Sequence, residues 1–162
     1  MLIGIVSDTH LPRGERRIPA TCLERLRGAD LIVHAGDFVA ASVLDELEAL
    51  GPPVAAVHGN VDDEDVRRRL PAARMVDAGG VRVVVVHDGG PAAGRPERLR
   101  ARFPGVDAVI FGHSHVALHE RDGAFQIFNP GSPTDRRRQP RHTMGLAHVD
   151  GSTLAFEHVA LD

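Results

Sequence analysis

Short apolar runs that stop on polar residues recur along this chain. Leu2 to Val6 leads to Asp8 and His10, Leu31 to Val33 to Asp37, and Val54 to Val57 to Asn60. Val83 to Val86 leads to His87, and Ala108 to Phe111 to His113 and His115. Runs of this length bounded by polar residues predict buried strands. Between them, helical spacing predicts helices over Pro19 to Arg27, ending at Gly28, and over Val39 to Leu50, ending at Gly51-Pro52-Pro53. Two more are predicted at Asp62 to Leu70, closed by Pro71, and at Pro96 to Phe103. Met75 to Asp77 and Val81 to Val86 flank Gly79-Gly80, a hairpin signal. Val116 to Glu120, Phe125 to Phe128, Met144 to Val149 and Thr153 to Val159 read as strands, with turns at Asp122-Gly123 and Asp150-Gly151. A βαβ-rich first part followed by a β-meander predicts an α/β fold: two sheets face to face with helices outside.

In open α/β sheets, ligands bind beyond the carboxyl ends of the strands. The strand rhythm therefore delivers Asp8, His10, Asp37, Asn60, His87, His113 and His115 to one shared edge. If Asp8-Thr9-His10 and His113-Ser114-His115 are extended, each pair points to one side and can reach one ion. Either pair alone is as well explained by hydrogen-bonded turn residues. The pairs together with Asp37, Asn60 and His87 point to metal. Imidazole and oxygen donors without thiolates favour Mn, Fe, Ni, Co or Zn over Mg or Ca. Seven candidates exceed the needs of one tetrahedral ion. They suit two ions roughly 3.5–4 Å apart that share a bridging carboxylate and hydroxide, equipment fitted to a phosphate ester. A β-lactamase-like site would need His-x-His-x-Asp-His, and Val116 and Ala117 follow His115 instead.

Composition narrows the classes. At 162 residues the chain reads as a single domain spanning 1–162, with 43% hydrophobic residues and a formal charge of -3. That balance argues against a broad nucleic-acid surface, and the absence of Trp and Tyr removes the best base-stacking side chains. All 19 basic residues are Arg, a pattern that GC-rich coding explains. The lone Cys22 has no disulfide partner and reads as a small buried residue beside Leu23 and Leu26. No signal-peptide pattern or membrane-spanning run is present, so a cytoplasmic protein without a membrane partner is expected. A homo-oligomer is left open.

The motifs resemble those of the calcineurin-like metallophosphoesterases, especially their small single-domain bacterial and archaeal phosphodiesterases. The family pattern of D-x-H, G-D, G-N-x-D/E, a lone His and G-H-x-H is met in order. The matching segments are Asp8-Thr9-His10, Gly36-Asp37, Gly59-Asn60-Val61-Asp62, His87 and Gly112-His113-Ser114-His115. Ser7 and Asn129-Pro130-Gly131-Ser132 extend the similarity. The resemblance implies a four-layer sandwich, helices outside two sheets, and a dinuclear phosphodiesterase whose nucleophile is a metal-bridging hydroxide. It implies one ion held by Asp8, His10 and His115 and the other by Asn60, His87 and His113, with Asp37 bridging and Mn as the first choice of metal. Asn60 would also lie near a substrate phosphate oxygen.

Two departures shape the expected activity. Where many relatives carry a His as general acid, this chain has Val61, which cannot donate a proton. His87 is followed by Asp88, whose charge is expected to disfavour dianionic monoesters and so to favour a small phosphodiester. The same fold serves as a scaffold in the retromer coat, where the ligand set is degraded; here all seven ligand types are intact. A phosphomonoesterase or nuclease is the other alternative.

The remaining polar residues read mostly as structural. His34 and His58 are expected to pack or support neighbouring loops, and His119, His142, His148 and His158 to be structural or surface residues. Asp62 is expected to cap the helix after it. Arg67-Arg68-Arg69 and Arg136-Arg137-Arg138 read as solvated faces, although the second run could fold near the metal edge and meet a phosphate. Arg13 is a further candidate for substrate contact.

Overall fold

The apolar runs form strands in a computed structural model that describes residues 1–162. In chain order the elements are β1 (Leu2–Val6), α1 (Ala20–Arg27), β2 (Leu31–His34), α2 (Ala41–Glu48), β3 (Val54–Ala56), α3 (Glu64–Arg69) and β4 (Ala73–Ala78). They continue with β5 (Val81–Val86), α4 (Arg95–Arg102), β6 (Ala108–Ile110), β7 (Leu118–Asp122), β8 (Phe125–Asn129), β9 (Thr143–Asp150) and β10 (Thr153–Ala160). One sheet has the order β10-β9-β1-β2-β3 and the other β4-β5-β6-β8-β7. In the first, β1, β2 and β3 are parallel; in the second, β5, β6 and β8 are parallel.

Burial explains the layering. Alternate residues of β1, β2, β5 and β6 face the other sheet, so that Ile3, Ile5, Val33, Val83, Val85 and Ile110 share one core. The opposite face of the first sheet packs Val6, Ile32 and Ala56 against Cys22 and Leu26 of α1, Leu44 and Leu47 of α2, and Val66 of α3. The outer face of the second sheet packs Val84, Val109 and Ile127 against Leu99 of α4. The expected two-sheet sandwich flanked by helices is therefore the fold. Burial pushes the Cys22 thiol up to about 12, which leaves it unreactive at neutral pH.

Three expectations need correction. The last four strands are not one meander, because β7 and β8 join the second sheet while β9 and β10 return to the first, where β9 pairs antiparallel with β1. A meander would leave β1 as a bare edge, and β9 and β10 cover it. Strand β7 begins two residues later than expected, at Leu118. The cap of α3 is Asp63, which accepts from Val66 N at 2.9 Å, and not Asp62.

The end of β2 is built around His34, as the loop-packing expectation holds. Its ring is fully buried and stacked on Phe38 at 3.6 Å between centroids. Nδ1 accepts from Gly36 N at 3.1 Å, which leaves Nε2 to donate to Thr9 Oγ1 at 3.1 Å. Burial, with His87 nearby, pushes the imidazole down to about 3. The unfolded chain would protonate near 6.5, so the neutral ring favours the fold fully above that pH and less at each step toward 3. Each pH unit in that window is worth about 1.4 kcal/mol. Denaturation of wild type and His34→Gln should therefore give stability curves that converge by about 2–3 kcal/mol between pH 7 and 4.5. Parallel curves would show that His34 is not held neutral.

Candidate metal centre

Both sheets present the carboxyl ends of their parallel strands to one edge. Asp8 and His10 follow β1, Asp37 follows β2, Asn60 follows β3, His87 follows β5, and His113 and His115 follow β6. Hydrogen bonds tie the sheets together there. The Asp8 carboxylate accepts from His113 N at 3.0 and 3.2 Å, and His87 Nδ1 donates to Ala35 O at 2.8 Å.

The seven side chains gather into two sets. Ligand atoms of Asp8, His10 and His115 lie within 4.8 Å of one another, as do those of Asp37, His87 and His113. Asp37 Oδ2 stands between the sets, 3.3 Å from His10 Nε2 and 3.2 Å from His87 Nε2. Asn60 Oδ1 lies 3.0 Å from both His87 Nε2 and His113 Nδ1. The Nδ1 protons of His87 and His115 are engaged by the backbone oxygens of Ala35 and Asp135, which aims both Nε2 lone pairs into the centre. His10 Nε2 and His115 Nε2 are buried without a hydrogen-bond partner. A cluster of oxygen and imidazole acceptors this dense, with orphaned nitrogens inside it, fits divalent transition-metal ions.

Without metal, protons take the place of that charge. The carboxylates of Asp37 and Asp8, 3.3 and 3.8 Å from Nε2, raise His10 to about 9. Burial opposes the charged form of His87, but Asp37, Asp8 and the Ala35 carbonyl together outweigh it and the net shift is upward. Burial likewise opposes ionisation of Asp37, and the imidazoles of His10 and His87 with the Val61 N–H together outweigh it, holding the carboxyl well below the usual range. His115 moves down, chiefly through burial.

The backbone reaches this geometry in an unexpected way. Asp8, His10, Asp37, His113 and His115 all have positive φ, between 48° and 69°. The D-x-H and H-x-H segments are therefore not extended, and alternation along a strand is not what brings each pair together. Left-handed residues reverse the chain sharply, so that i and i+2 turn back toward one point. Such conformations cost of order 1–3 kcal/mol each unless the surroundings hold them. Close backbone packing is part of that support. A Cβ on Gly59 would overlap Asp37, and one on Gly112 would overlap Ser7 and Asp8, so both positions need glycine.

Asp62 supplies another part, and its role was missed in the sequence. Its buried carboxylate accepts from Asp37 N at 3.0 Å, Val39 N at 2.7 Å and Gly59 N at 2.6 Å. It thereby fastens the loop after β2 to the loop after β3. Arg67 locks the same turn by donating to Asp62 O and Asn60 O. The only prior signal was the acidic residue two places after Asn60, which helix capping explained just as well.

The loop after β8 is the other support. Asn129 Nδ2 donates to Gly112 O at 2.8 Å, Ser132 Oγ to Asp8 O at 2.8 Å and Thr134 Oγ1 to Thr9 O at 2.6 Å. Of the substrate-contact candidates, Arg13 is exposed and sits 3.7 Å from Asp135. Asp88 is exposed and accepts from Gly90 N at 2.7 Å. Val61 N donates to Asp37 Oδ1 at 3.0 Å, with its side chain exposed at the rim. His58 is half-buried with Nδ1 3.3 Å from Gly59 O, His119 meets Gln126, His142 meets Asp162, and His158 meets Asn129 O. None of these joins the two sets.

Asp62→Ala leaves three N–H groups without an acceptor, those of Asp37 and Gly59 buried. Chemical denaturation of the metal-free protein should show a loss of about 2–5 kcal/mol. Metal titration should show a drop of roughly 10–100-fold in affinity. Unchanged stability and affinity would contradict the positioning role.

The same fold is found in known proteins. Residues 1–152 match the calcineurin-like phosphoesterase superfamily domain. A probable metallophosphoesterase of Methanothermobacter thermautotrophicus is 35% identical, with 97% of this chain and 91% of that protein covered. A phosphodiesterase of Methanocaldococcus jannaschii is 26% identical over 81% of this chain and 83% of that protein. In fold, the chain is similar to Vps29 complexed with Zn from Entamoeba histolytica, with a TM-score of 0.80, 21% identity and full coverage of both chains. The chain belongs to the calcineurin-like phosphoesterase superfamily.

Proposed function

We propose that this protein is a phosphodiesterase that works with two divalent ions. The observation that carries the reading is the Asp37 carboxylate, whose Oδ2 lies within 3.3 Å of imidazoles from both sets. A carboxylate in that place can bridge two ions, with Asp8, His10 and His115 holding one and Asn60, His87 and His113 the other. Imidazole and oxygen donors without thiolates favour Mn, Ni, Fe, Co or Zn over Mg or Ca, and Mn is the first choice in this reading. When bound, the two ions supply water ionised at neutral pH and neutralise charge on the transferring phosphoryl group.

The chain's own residues set the rest of the chemistry. In this reading the Asn60 amide also meets a phosphate oxygen of the substrate. The neighbouring Val61 has no proton to give, so the alcohol that leaves takes its proton from solvent. Diesters with good leaving groups are therefore favoured. Asp88, the one carboxylate in a cleft of ≈ 540 Å³ beside Asn60 and His87 that Arg67, Arg98 and Arg102 also line, weighs against dianionic monoesters in this reading. A cytoplasmic setting fits the single buried Cys22, which has no disulfide partner.

A scaffold reading has the fold of Vps29 in its favour, but the complete donor set favours an enzyme. The two separate in one experiment. Metal-free protein is reconstituted with Mn, Ni, Fe, Co and Zn and assayed with bis(p-nitrophenyl) phosphate and p-nitrophenyl phosphate. We expect the diester to be the faster substrate with at least one metal, and Asp37→Asn to lower kcat by about 10²-fold or more. Inactivity with every metal would favour the scaffold, and faster monoester hydrolysis would favour a phosphomonoesterase.

A further inference from the structure

The loop after β8 does more than support the metal-centre backbone. Beyond Thr134 it turns outward and, with Arg16, Arg136, Arg137 and His142, encloses a cleft of ≈ 470 Å³ that has no apolar lining residue. The cleft adjoins the Asp8, His10 and His115 set. Thr134 on its wall is bonded to Thr9 O, between Asp8 and His10, and the backbone oxygen of Asp135 receives the Nδ1 proton of His115.

Charge around this cleft is unbalanced. Asp135 is shared by Arg13 and Arg16 at 3.7 and 3.4 Å, and Asp162 is engaged by His142 at 2.9 Å and lies near Arg136. Four arginines (13, 16, 136 and 137) thus face two carboxylates (135 and 162), leaving two positive charges. Arg136 donates to Gln139 O, whereas the Arg137 guanidinium has neither a hydrogen bond nor an ion pair. Arg137 is also held at a φ of 49°, a conformation that a non-glycine residue keeps only where its loop is fixed on both sides.

The cleft on the other side of the centre is built differently. Of its three arginines, Arg67 and Arg98 already donate to backbone oxygens of Asn60, Asp62, Gly89, Pro91 and Ala93, and Arg102 lies over the Phe103 ring at 4.8 Å. The first two hold loops in place. The cleft beside His115 sets the unpartnered Arg137 guanidinium within a two-charge excess, and planar guanidinium groups recognise phosphate in a bidentate manner.

Resting on the phosphodiesterase reading, we propose that this cleft binds a second phosphate on the substrate. The preferred substrate class is then a small phosphodiester that also carries a phosphomonoester, with the diester at the metal centre and the dianion at Arg136 and Arg137.

The test compares thymidine 5′-(p-nitrophenyl phosphate) with the same compound bearing a 3′-phosphate, at fixed ionic strength. Calorimetry compares binding of thymidine 3′,5′-bisphosphate and thymidine 5′-monophosphate to the Mn-loaded protein. Wild type should prefer the phosphorylated member at least tenfold in kcat/KM and in Kd. Both ratios should fall to near one in the Arg136→Gln, Arg137→Gln double variant, whose melting temperature verifies folding. No preference in wild type, or a preference retained by the variant, overturns the subsite. A binding preference lost in the variant, with neither diester hydrolysed, supports the subsite while refuting the phosphodiesterase reading.

Discussion

Asp37 occupies a position where electron-rich atoms crowd from all sides, and the rest of the site follows from the positive charge this demands. Its Oδ2 faces His10 and His87, while Asn60 Oδ1 faces His87 and His113. Acceptors packed this closely repel one another unless a cation or protons stand between them. The raised basicity of His10 is the metal-free answer to that demand, with the proton shared toward Asp37 and Asp8. Divalent ions answer it better, because one charge centre can satisfy several lone pairs at once.

Holding acceptors together costs free energy, and the fold offsets that cost with neutral backbone chemistry. Asp62 gathers three N–H groups from the loops after β2 and β3, and Ser132 and Thr134 secure the loop after β1. With Asn129 on Gly112 O and Asp8 on His113 N, these bonds support the left-handed residues of the centre. Strain is thus confined to the edge of the sandwich, while the strands beneath remain regular. Division of labour is visible among the arginines as well: Arg67 and Arg98 are consumed in holding loops, and Arg137 is not.

Much of this was legible in the sequence because burial has a simple period. Val81 to Val86 and Ala108 to Phe111 announce strands, and polar residues at their ends name the edge where chemistry collects. Pairing of distant strands has no such local signature. Nothing within Met144 to Val149 says that it lies against β1 rather than β8, since that choice is made by the long-range core. The turned-back conformation of Asp8 and His10 was hidden for a related reason: non-glycine residues carry no mark of positive φ, which tertiary contacts impose. Asp62 was misread because a carboxylate before a helix satisfies a local rule, and its three acceptor bonds reach loops 23 to 25 residues away as well as its own.

The central claim is that Asp37 joins two ions. The most direct measurement is anomalous diffraction from crystals of the Mn-loaded protein. Two peaks are predicted about 3.5–4 Å apart, one against Asp8, His10 and His115, the other against Asn60, His87 and His113, with Asp37 contacting both. A single peak, or two that Asp37 does not join, would contradict the account.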